Sequence, residues 1–508
     1  MKRKNNPQRE EKYRFHTAVI TSGAGVIIHY LISLVLTPYI TETLGTESYG
    51  FVNLAKSFSN YTIILTSCLN AYASRFISIS YHENDKHKSE VYMSTVFFAN
   101  VMLSCIVLLF AGIFCIKLDS FISVPSNILE DVKVLFFLDF VNYMLVATGT
   151  CFTAYAYVKN RLDILGIVKI LTYVTEAFAL VLFFRSFSPK VYFVGYGLLV
   201  SSLIALILNL ISARYFMGDV KVKIQYFEWS AVKNLVVNGI WNSVNSLGNV
   251  LNSGLDLLVT NQMLSSLAMG QLSIVKTLSV IFTTLFQTVS SPFQPKLLKT
   301  YANNDKTRLI RILKENIAFC SFFSNMLCAG LISLGEAYYR LWTPNQDVHL
   351  LQVLTVITVV GMVVEGASFP LLYVYTLTLK NRLPCFMTIF SGLLNVLGMY
   401  VLIKFTSIGI YSVVGTTSVL ALGIYFIFTP IYSAKCLGIK GSTFFPPLIR
   451  AVLSAIISII VFKFISNFFV VDTWVKLGAV ALLMSMVGIP IHLIISGREI
   501  LKSLLGRK

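Results

Sequence analysis

The sequence predicts an all-α polytopic membrane protein with about 14 transmembrane helices. Three observations carry this expectation. The 508 residues are 56% hydrophobic and 13% charged, with a mean hydropathy of +0.74, which is too apolar for a soluble chain. Apolar runs long enough for a bilayer core of roughly 30 Å recur almost end to end. The strict alternation over about 10 residues that marks a membrane barrel is absent.

The spans follow in order. Span 1 (17–40) is longer than a signal-peptide core and no small-residue cleavage site follows it, so it is expected to be retained. Span 2 (49–73) opens on Tyr49 and Gly50 and carries Lys56, and span 3 (91–116) is apolar. Span 4 (134–158) holds Asp139, while span 5 (162–184) holds Lys169 and Glu176 on one face. Span 6 (191–213) precedes the hydrophilic loop ARYFMGDVKVKIQYFEWSAVK. Span 7 (234–260) carries most of the asparagines discussed below, and span 8 (268–292) carries Lys276. Span 9 (312–334) leads to span 10 (350–377), where Glu365 lies near a Gly/Pro interruption. Spans 11 (384–404), 12 (408–433), 13 (444–466) and 14 (474–496) complete the chain.

The expected organisation is a basic tail over 1–16, a first lobe of six helices over 17–216 and a cytoplasmic linker over 217–233. A second six-helix lobe over 234–436 follows, then helices 13 and 14 with a basic tail over 437–508. No extramembrane segment is long enough for a catalytic domain of ordinary size, so the chain does not read as an enzyme. No cofactor motif is present, and the phosphate-binding pattern G-x-x-x-x-G-K-[ST] is absent.

The net charge of +18 is explained by its placement. With the N-terminus in the cytoplasm, 30 of the 41 Lys and Arg fall on the cytoplasmic side and 8 on the other. That asymmetry is the positive-inside rule and predicts both termini in the cytoplasm. The cations therefore face anionic lipid rather than nucleic acid. The eight cysteines form no C-x-x-C pair and lie mostly in apolar helices, as packing residues do.

An internal repeat relates the halves. TETLGTESYGFVNLAKSFS (41–59) aligns with NQMLSSLAMGQLSIVKTLS (261–279) at a shift of 220 residues, pairing Leu44 with Leu264, Gly50 with Gly270, Lys56 with Lys276 and Ser59 with Ser279. The shift holds six spans, so the copies share one topology, as in parallel-repeat transporters.

Three constellations carry chemistry. In span 7, Asn234, Asn238, Asn242, Asn245, Asn249, Asn252 and Asp256 are spaced by three or four residues. They fall within roughly ±40° of one line on an α-helix. Such a line cannot face lipid, so it either joins helices or lines a wet pathway. Lys56 and Lys276 are buried-span cations at repeated positions, suited to an anion such as a phosphate group, with snorkelling as the bland alternative. Asp139, Glu176, Asp256 and Glu365 are candidates to bind a proton or sodium ion, or to serve in structural ion pairs. Lys169 and Glu176 are spaced to neutralise each other, and His29 and His492 are given no ligand role.

The run GAGVIIHYLISLVLTPYITETLGTESYGFVNLAKSF resembles the opening of the polysaccharide transporter family, which contains the Wzx-type O-antigen and capsule repeat-unit flippases. That family belongs to the superfamily of multidrug and lipid-linked oligosaccharide exporters. The shared features are Pro38 late in span 1, Leu44 and Gly45, then Tyr49 and Gly50 opening span 2. The resemblance implies two six-helix lobes in a V and alternating access. It also implies a substrate of undecaprenyl-pyrophosphate-linked oligosaccharide, moved across a bacterial plasma membrane for surface polysaccharide biosynthesis. Lys56 and Lys276 would then meet the pyrophosphate, and Asn242, Asn245, Asn249 and Asn252 would meet sugar hydroxyls. Where some relatives place a cavity arginine in helix 1, this chain has only His29 as an ionisable group in that span. Expected partners are the lipid-linked substrate, membrane lipids, a coupling proton or sodium ion, and polysaccharide polymerase machinery. The competing reading is an ion-coupled multidrug or metabolite exporter on the same fold.

Overall fold

The computed structural model describes residues 7–497, with side chains at 17, 20, 21 and from 23 onward. The described residues contain helices and turns, with no strand among them. Along them fourteen long helical rods follow one another: α1 (Pro7–Leu44), α2 (Thr46–His82), α3 (Lys86–Ile116), α4 (Leu129–Val158), α5 (Leu162–Ser186) and α6 (Tyr192–Phe216). Then come α7 (229–263), α8 (Ser266–Ala302), α9 (Lys306–Trp342), α10 (Val348–Leu377) and α11 (Arg382–Phe405). The last are α12 (Tyr411–Leu437), α13 (Gly441–Ser466) and α14 (Trp474–Ile495).

Among the described residues, twelve helices are long and apolar enough to cross a membrane. The two rods outside that set are α2 and α7, and their composition explains why. They carry Lys56 and the asparagine series, so they are the least lipid-like of the rods. Another difference lies at the N-terminus, where α1 starts at Pro7 rather than near residue 17. Proline is well placed in a first helical turn, and PQREEKYRFH continues with good helix formers. Part of the expected tail over 1–16 is therefore helix; residues 1–6 and 498–508 lie outside the described residues.

By contacts the chain forms two compact units. The first runs to Val250 and includes Ser265–Gly270; the second contains Leu251–Leu264 and continues from Gln271. The division thus falls inside α7 and not at the 217–233 loop. Its cause is local packing, because Trp229–Asn249 lies along α2. Ala231, Leu235, Gly239 and Ser243 recur every four residues and are buried. A β-carbon on Gly239 would sit 1.9 Å from the Cys68 carbonyl oxygen, so only glycine permits this approach. Ser243 then donates to the Ile64 carbonyl at 2.7 Å. Small residues with short polar bonds are how helices join where lipid offers no hydrophobic drive.

Within the first unit α1 packs on α5, α5 on α6, α4 on α3 and α6, and α2 on α3. Its core, around Leu69, Ile77, Val96, Tyr155 and Leu235, lies between α2, α3, α4 and α7. In the second unit α9 packs on α10 and α13, α10 on α12, and α13 on α14. The last two helices are pinned to α9 by polar groups. His492 of α14 is buried, with its Nδ1 3.1 Å from the Ser454 hydroxyl and its Nε2 2.9 Å from the Ala318 carbonyl. Asn325 of α9 donates to the Ala451 carbonyl of α13 at 2.9 Å.

The repeat extends beyond the segment first aligned. YHENDK (81–86) and YANNDK (301–306) are again 220 residues apart. They form the same turn: Asn84 and Asn304 have φ of 60° and 56°, and Asp85 and Asp305 cap the next helix by accepting from the amides of Lys88 and Arg308. Asparagine is among the few residues that tolerate that left-handed conformation. Both halves also break one helix with a 3₁₀ turn, at Thr150–Thr153 in α4 and Phe369–Leu371 in α10.

Candidate functional site

In the first unit four helices converge on Lys56. Its ammonium lies 3.7 Å from Glu176 Oε1 of α5, and the lysine side chain is 43% exposed. Ser59, one turn further along α2, donates to the buried carboxylate of Asp139 in α4. Asp139 is close enough to feel both Lys56 and Glu176. His29 of α1 packs on Tyr173 of α5 with ring centroids 4.2 Å apart and feels the same two charges. The Lys56–Glu176 contact is long and open to solvent on the lysine side. Such a pair is worth about 0–1 kcal/mol, so an incoming anion has little to displace.

The asparagines of α7 lie in the same unit. On a helical wheel Asn238, Asn242, Asn245 and Asn249 centre about 90° to one side of the buried Leu235–Gly239–Ser243 line. Val237, Ile240 and Leu247 centre about 110° to the other side. All seven of these flanking residues are exposed on the unit. The helix thus has a packed face, an apolar open face and a polar open face. The apolar one suits lipid. The amide-bearing one is polar and suits hydrocarbon poorly; Asn238 on it donates to the Asn234 carbonyl at 2.7 Å. The contacts of Gly239 with Cys68 and of Ser243 with Ile64 set an antiparallel register. That register brings Asn249 level with the Lys56 turn of α2.

The second unit treats its lysine differently. Lys276 of α8 is bonded to Asp256 Oδ2 at 2.6 Å and also donates to the Ser253 carbonyl. The lysine side chain is 24% exposed and the aspartate 6%. This arrangement depends on a break in α7, where a π-helical turn at Val250–Gly254 ends and a new helix starts at Asp256. The break leaves a carbonyl at the end of one segment, where a cation is favoured. It puts a carboxylate in the first turn of the next, where an anion is favoured. Asp256 Oδ1 is buried and has no partner among the described residues.

The π turn also takes the end of the asparagine series off the helical line of the rest. Asn252 is half-buried and committed to α11: its Nδ2 donates to the Thr388 carbonyl at 2.6 Å, and its Oδ1 accepts from Ser391 at 2.9 Å. Its backbone carbonyl accepts from Asn395, which in turn accepts from Thr417. Glu365 of α10 sits apart, bonded by Tyr425 of α12, whose backbone carbonyl accepts from Ser368 at 2.6 Å.

The expected site residues therefore separate. Lys56, Glu176 and Asp139 come together, and Asn242, Asn245 and Asn249 share their unit. Lys276 and Asp256 form a closed pair, Asn252 joins helices, and Glu365 stands with a tyrosine. No ion pair joins Lys169 to Glu176 among the described residues; Glu176 meets Lys56 instead. The sequence reading missed Ser59 as the partner of Asp139, and Ser391, Asn395 and Thr417 as a polar cluster. The last three had a signal, being polar residues at helical spacing inside spans 11 and 12.

A broken helix and a sequence repeat between the two halves are features that transporter folds share. Solved structures bear the fold out. The chain superposes on the lipid II flippase MurJ in an inward closed conformation with a TM-score of 0.71 and 15% identity, covering 96% of this chain and 100% of that one. An inward-facing multidrug resistance MATE family transporter of the MOP superfamily gives 0.67 and 13% identity, over 82% and 98% of the two chains. The MATE multidrug transporter DinF-BH gives 0.61 and 14%, over 84% and 97%. Among curated proteins, an uncharacterized membrane protein named EpsK from Bacillus subtilis (strain 168) is 25% identical over 459 residues, which is 90% of this chain and 91% of that one. The family described as polysaccharide biosynthesis protein matches residues 17–300, more than half of the chain, and the chain belongs to it.

Proposed function

We propose that this chain is a flippase that moves undecaprenyl-pyrophosphate-linked oligosaccharide units from the cytoplasmic to the outer leaflet by alternating access. In this reading all fourteen rods span a bacterial plasma membrane and both termini lie in the cytoplasm. The repeat defines two lobes of six helices, and α13 and α14 are additional. The observation that carries the proposal is Lys56, a membrane-span cation whose charge is only loosely matched. The same unit carries a line of exposed amides on α7. A diphosphate supplies the anion that Lys56 lacks, and sugar hydroxyls supply donors and acceptors to Asn242, Asn245 and Asn249. The polyprenyl tail has no need of such a lining and stays in lipid. Membership in a polysaccharide biosynthesis family supports this substrate class.

Deleting the gene in its host and analysing lipid-linked intermediates tests the proposal. Complete repeat units are expected to accumulate on the cytoplasmic leaflet and surface polysaccharide to disappear. Restoring wild-type protein is expected to reverse both, and restoring Lys56→Gln to reverse neither. An unchanged surface polysaccharide in the deletion strain overturns the proposal.

A second reading, an ion-coupled multidrug or metabolite exporter, is favoured by the carboxylates alone. Asp256, with one unpartnered oxygen, and Glu365, bonded to Tyr425, are intramembrane acids of the kind that carry a proton or sodium ion. Under the flippase proposal they, with Asp139 and Glu176, are the coupling candidates. Drug sensitivity on deletion, with polysaccharide intact, favours the exporter.

A further inference from the structure

The two YxxNDK turns offer an internal control. Their backbones match, yet their surroundings do not. In the first half the chain leaving α6 runs back over the start of α3. The amides of Lys221, Lys223 and Glu228 donate to Glu90, Ser94 and Thr95 at 3.1, 3.1 and 3.2 Å. Tyr226 also meets His87 edge-on, with ring centroids 5.6 Å apart. The repeat equivalents of His87 and Thr95 are Thr307 and Glu315. In the second half the chain leaving α12 turns at Gly438, with φ of 66°, and enters α13 at Gly441. The place filled by a linker in one half is open in the other. Two adjoining clefts of about 450 and 420 Å³ lie there, and Thr307 and Glu315 both line the larger one.

The cleft has also changed its chemistry. Lys296, Lys299, Arg308 and Arg311 line it, where the equivalent residues of the first half are Phe76, Ile79, Lys88 and Val91. Its two acids are already engaged, Asp305 as the cap of α9 and Glu315 with Lys296 at 3.8 Å. Lys299, Arg308 and Arg311 remain exposed around the opening. The segment Gln294–Ala302 that forms one wall also presents Leu298, 60% exposed, and Tyr301, 37% exposed. Cations beside an exposed leucine and tyrosine at the end of a membrane helix suit the lipid–water interface.

We propose that this cleft, between Gln294–Ala302 and the first turns of α9, binds the phosphate group of an anionic membrane lipid. Arg308 and Arg311, one turn apart, provide planar donors to phosphate oxygens. Lys299 adds charge from the facing wall, and Leu298 and Tyr301 contact the glycerol and upper acyl region. The site is separate from the substrate groups around Lys56 and does not depend on the flippase reading.

The test uses full-length protein in nanodiscs of phosphatidylcholine, with or without phosphatidylglycerol, and native mass spectrometry to count retained lipid. Wild type is expected to retain phosphatidylglycerol in preference to phosphatidylcholine. The Lys299→Gln/Arg308→Gln/Arg311→Gln variant is expected to lose that preference by roughly a hundred-fold, given about 1 kcal/mol for each basic group at a charged surface. Lys88→Gln, at the equivalent position of the first half, is expected to change nothing. Arg308→Lys/Arg311→Lys guards against misfolding, and is expected to keep the part of the preference that charge alone supplies, above that of the triple variant, at an unchanged melting temperature. Equal retention by wild type and the triple variant overturns the proposal. Binding of inorganic pyrophosphate to this cleft with displacement of phosphatidylglycerol overturns the lipid assignment.

Discussion

Lys56 and Lys276 occupy the same position of a repeat, yet their surroundings have diverged. Lys276 is enclosed, with a carboxylate at 2.6 Å and a carbonyl from a broken helix. Lys56 has its carboxylate at 3.7 Å and nearly half of its side chain open. The partners are not repeat-related: position 36, the counterpart of Asp256, is Leu36, and position 396, the counterpart of Glu176, is Val396. Each half therefore pairs its lysine with an acid that the other half lacks. The difference teaches that equal position does not mean equal role. One lysine closes a helix break, while the other is only loosely matched.

The largest effect that tests this contrast is expected from Lys276→Ala. It strands the buried Asp256, one oxygen of which has no partner among the described residues, and breaking such a pair costs about 3–5 kcal/mol. Thermal unfolding in detergent should show it as a large drop in melting temperature, with Lys276→Leu/Asp256→Leu recovering much of the loss. A mild single-variant effect would break the comparison.

Next comes Lys56→Gln, expected to abolish polysaccharide export while changing stability by no more than about 1 kcal/mol. Flippase assays beside melting curves separate the two quantities. A smaller gain is expected from Glu176→Gln, which removes the acid that an anion must displace. Binding of a short-chain polyprenyl pyrophosphate should tighten by about two- to five-fold, the equivalent of an exposed pair. The smallest change is expected from Asn245→Leu, about two-fold in apparent substrate affinity, the lower end for one lost hydrogen bond at an exposed amide. Asn252→Leu, by contrast, should lower stability and not affinity, because its amide is bonded within the protein.

Much of this was legible in the sequence, and the limits have physical causes. Apolar run length reveals spans because hydrocarbon allows little else; α2 and α7 were readable as long helices, but their polar residues keep them outside the twelve apolar ones among the described residues. The lysine pair was visible as an alignment of rare residues. Its inequality was not, since that depends on a π turn at Val250–Gly254. A wheel drawn at about 100° per residue assumes an unbroken α-helix, so it placed Asn252 and Asp256 on the line of the other asparagines. Nothing in VLNSG announces a π turn by composition. The YxxNDK turns were fully present in the sequence and marked the repeat better than the aligned helices do. They lie in loops, outside the apolar runs that define the membrane helices.

The bonds of His492 and Asn325 have a practical consequence for anyone trimming this chain. Removing everything after α12 exposes the Ala318 carbonyl and the Asn325 amide on the flank of α9, in the depth of the bilayer. It also uncovers Met326, against which Gly488 is packed so closely that a β-carbon would lie 2.4 Å from its sulfur. The shortened protein inherits a scar, two polar groups facing hydrocarbon, that a chain built with twelve helices does not have to carry. Grafting the last two helices onto such a chain meets the converse difficulty: a buried histidine arrives with no carbonyl waiting for it.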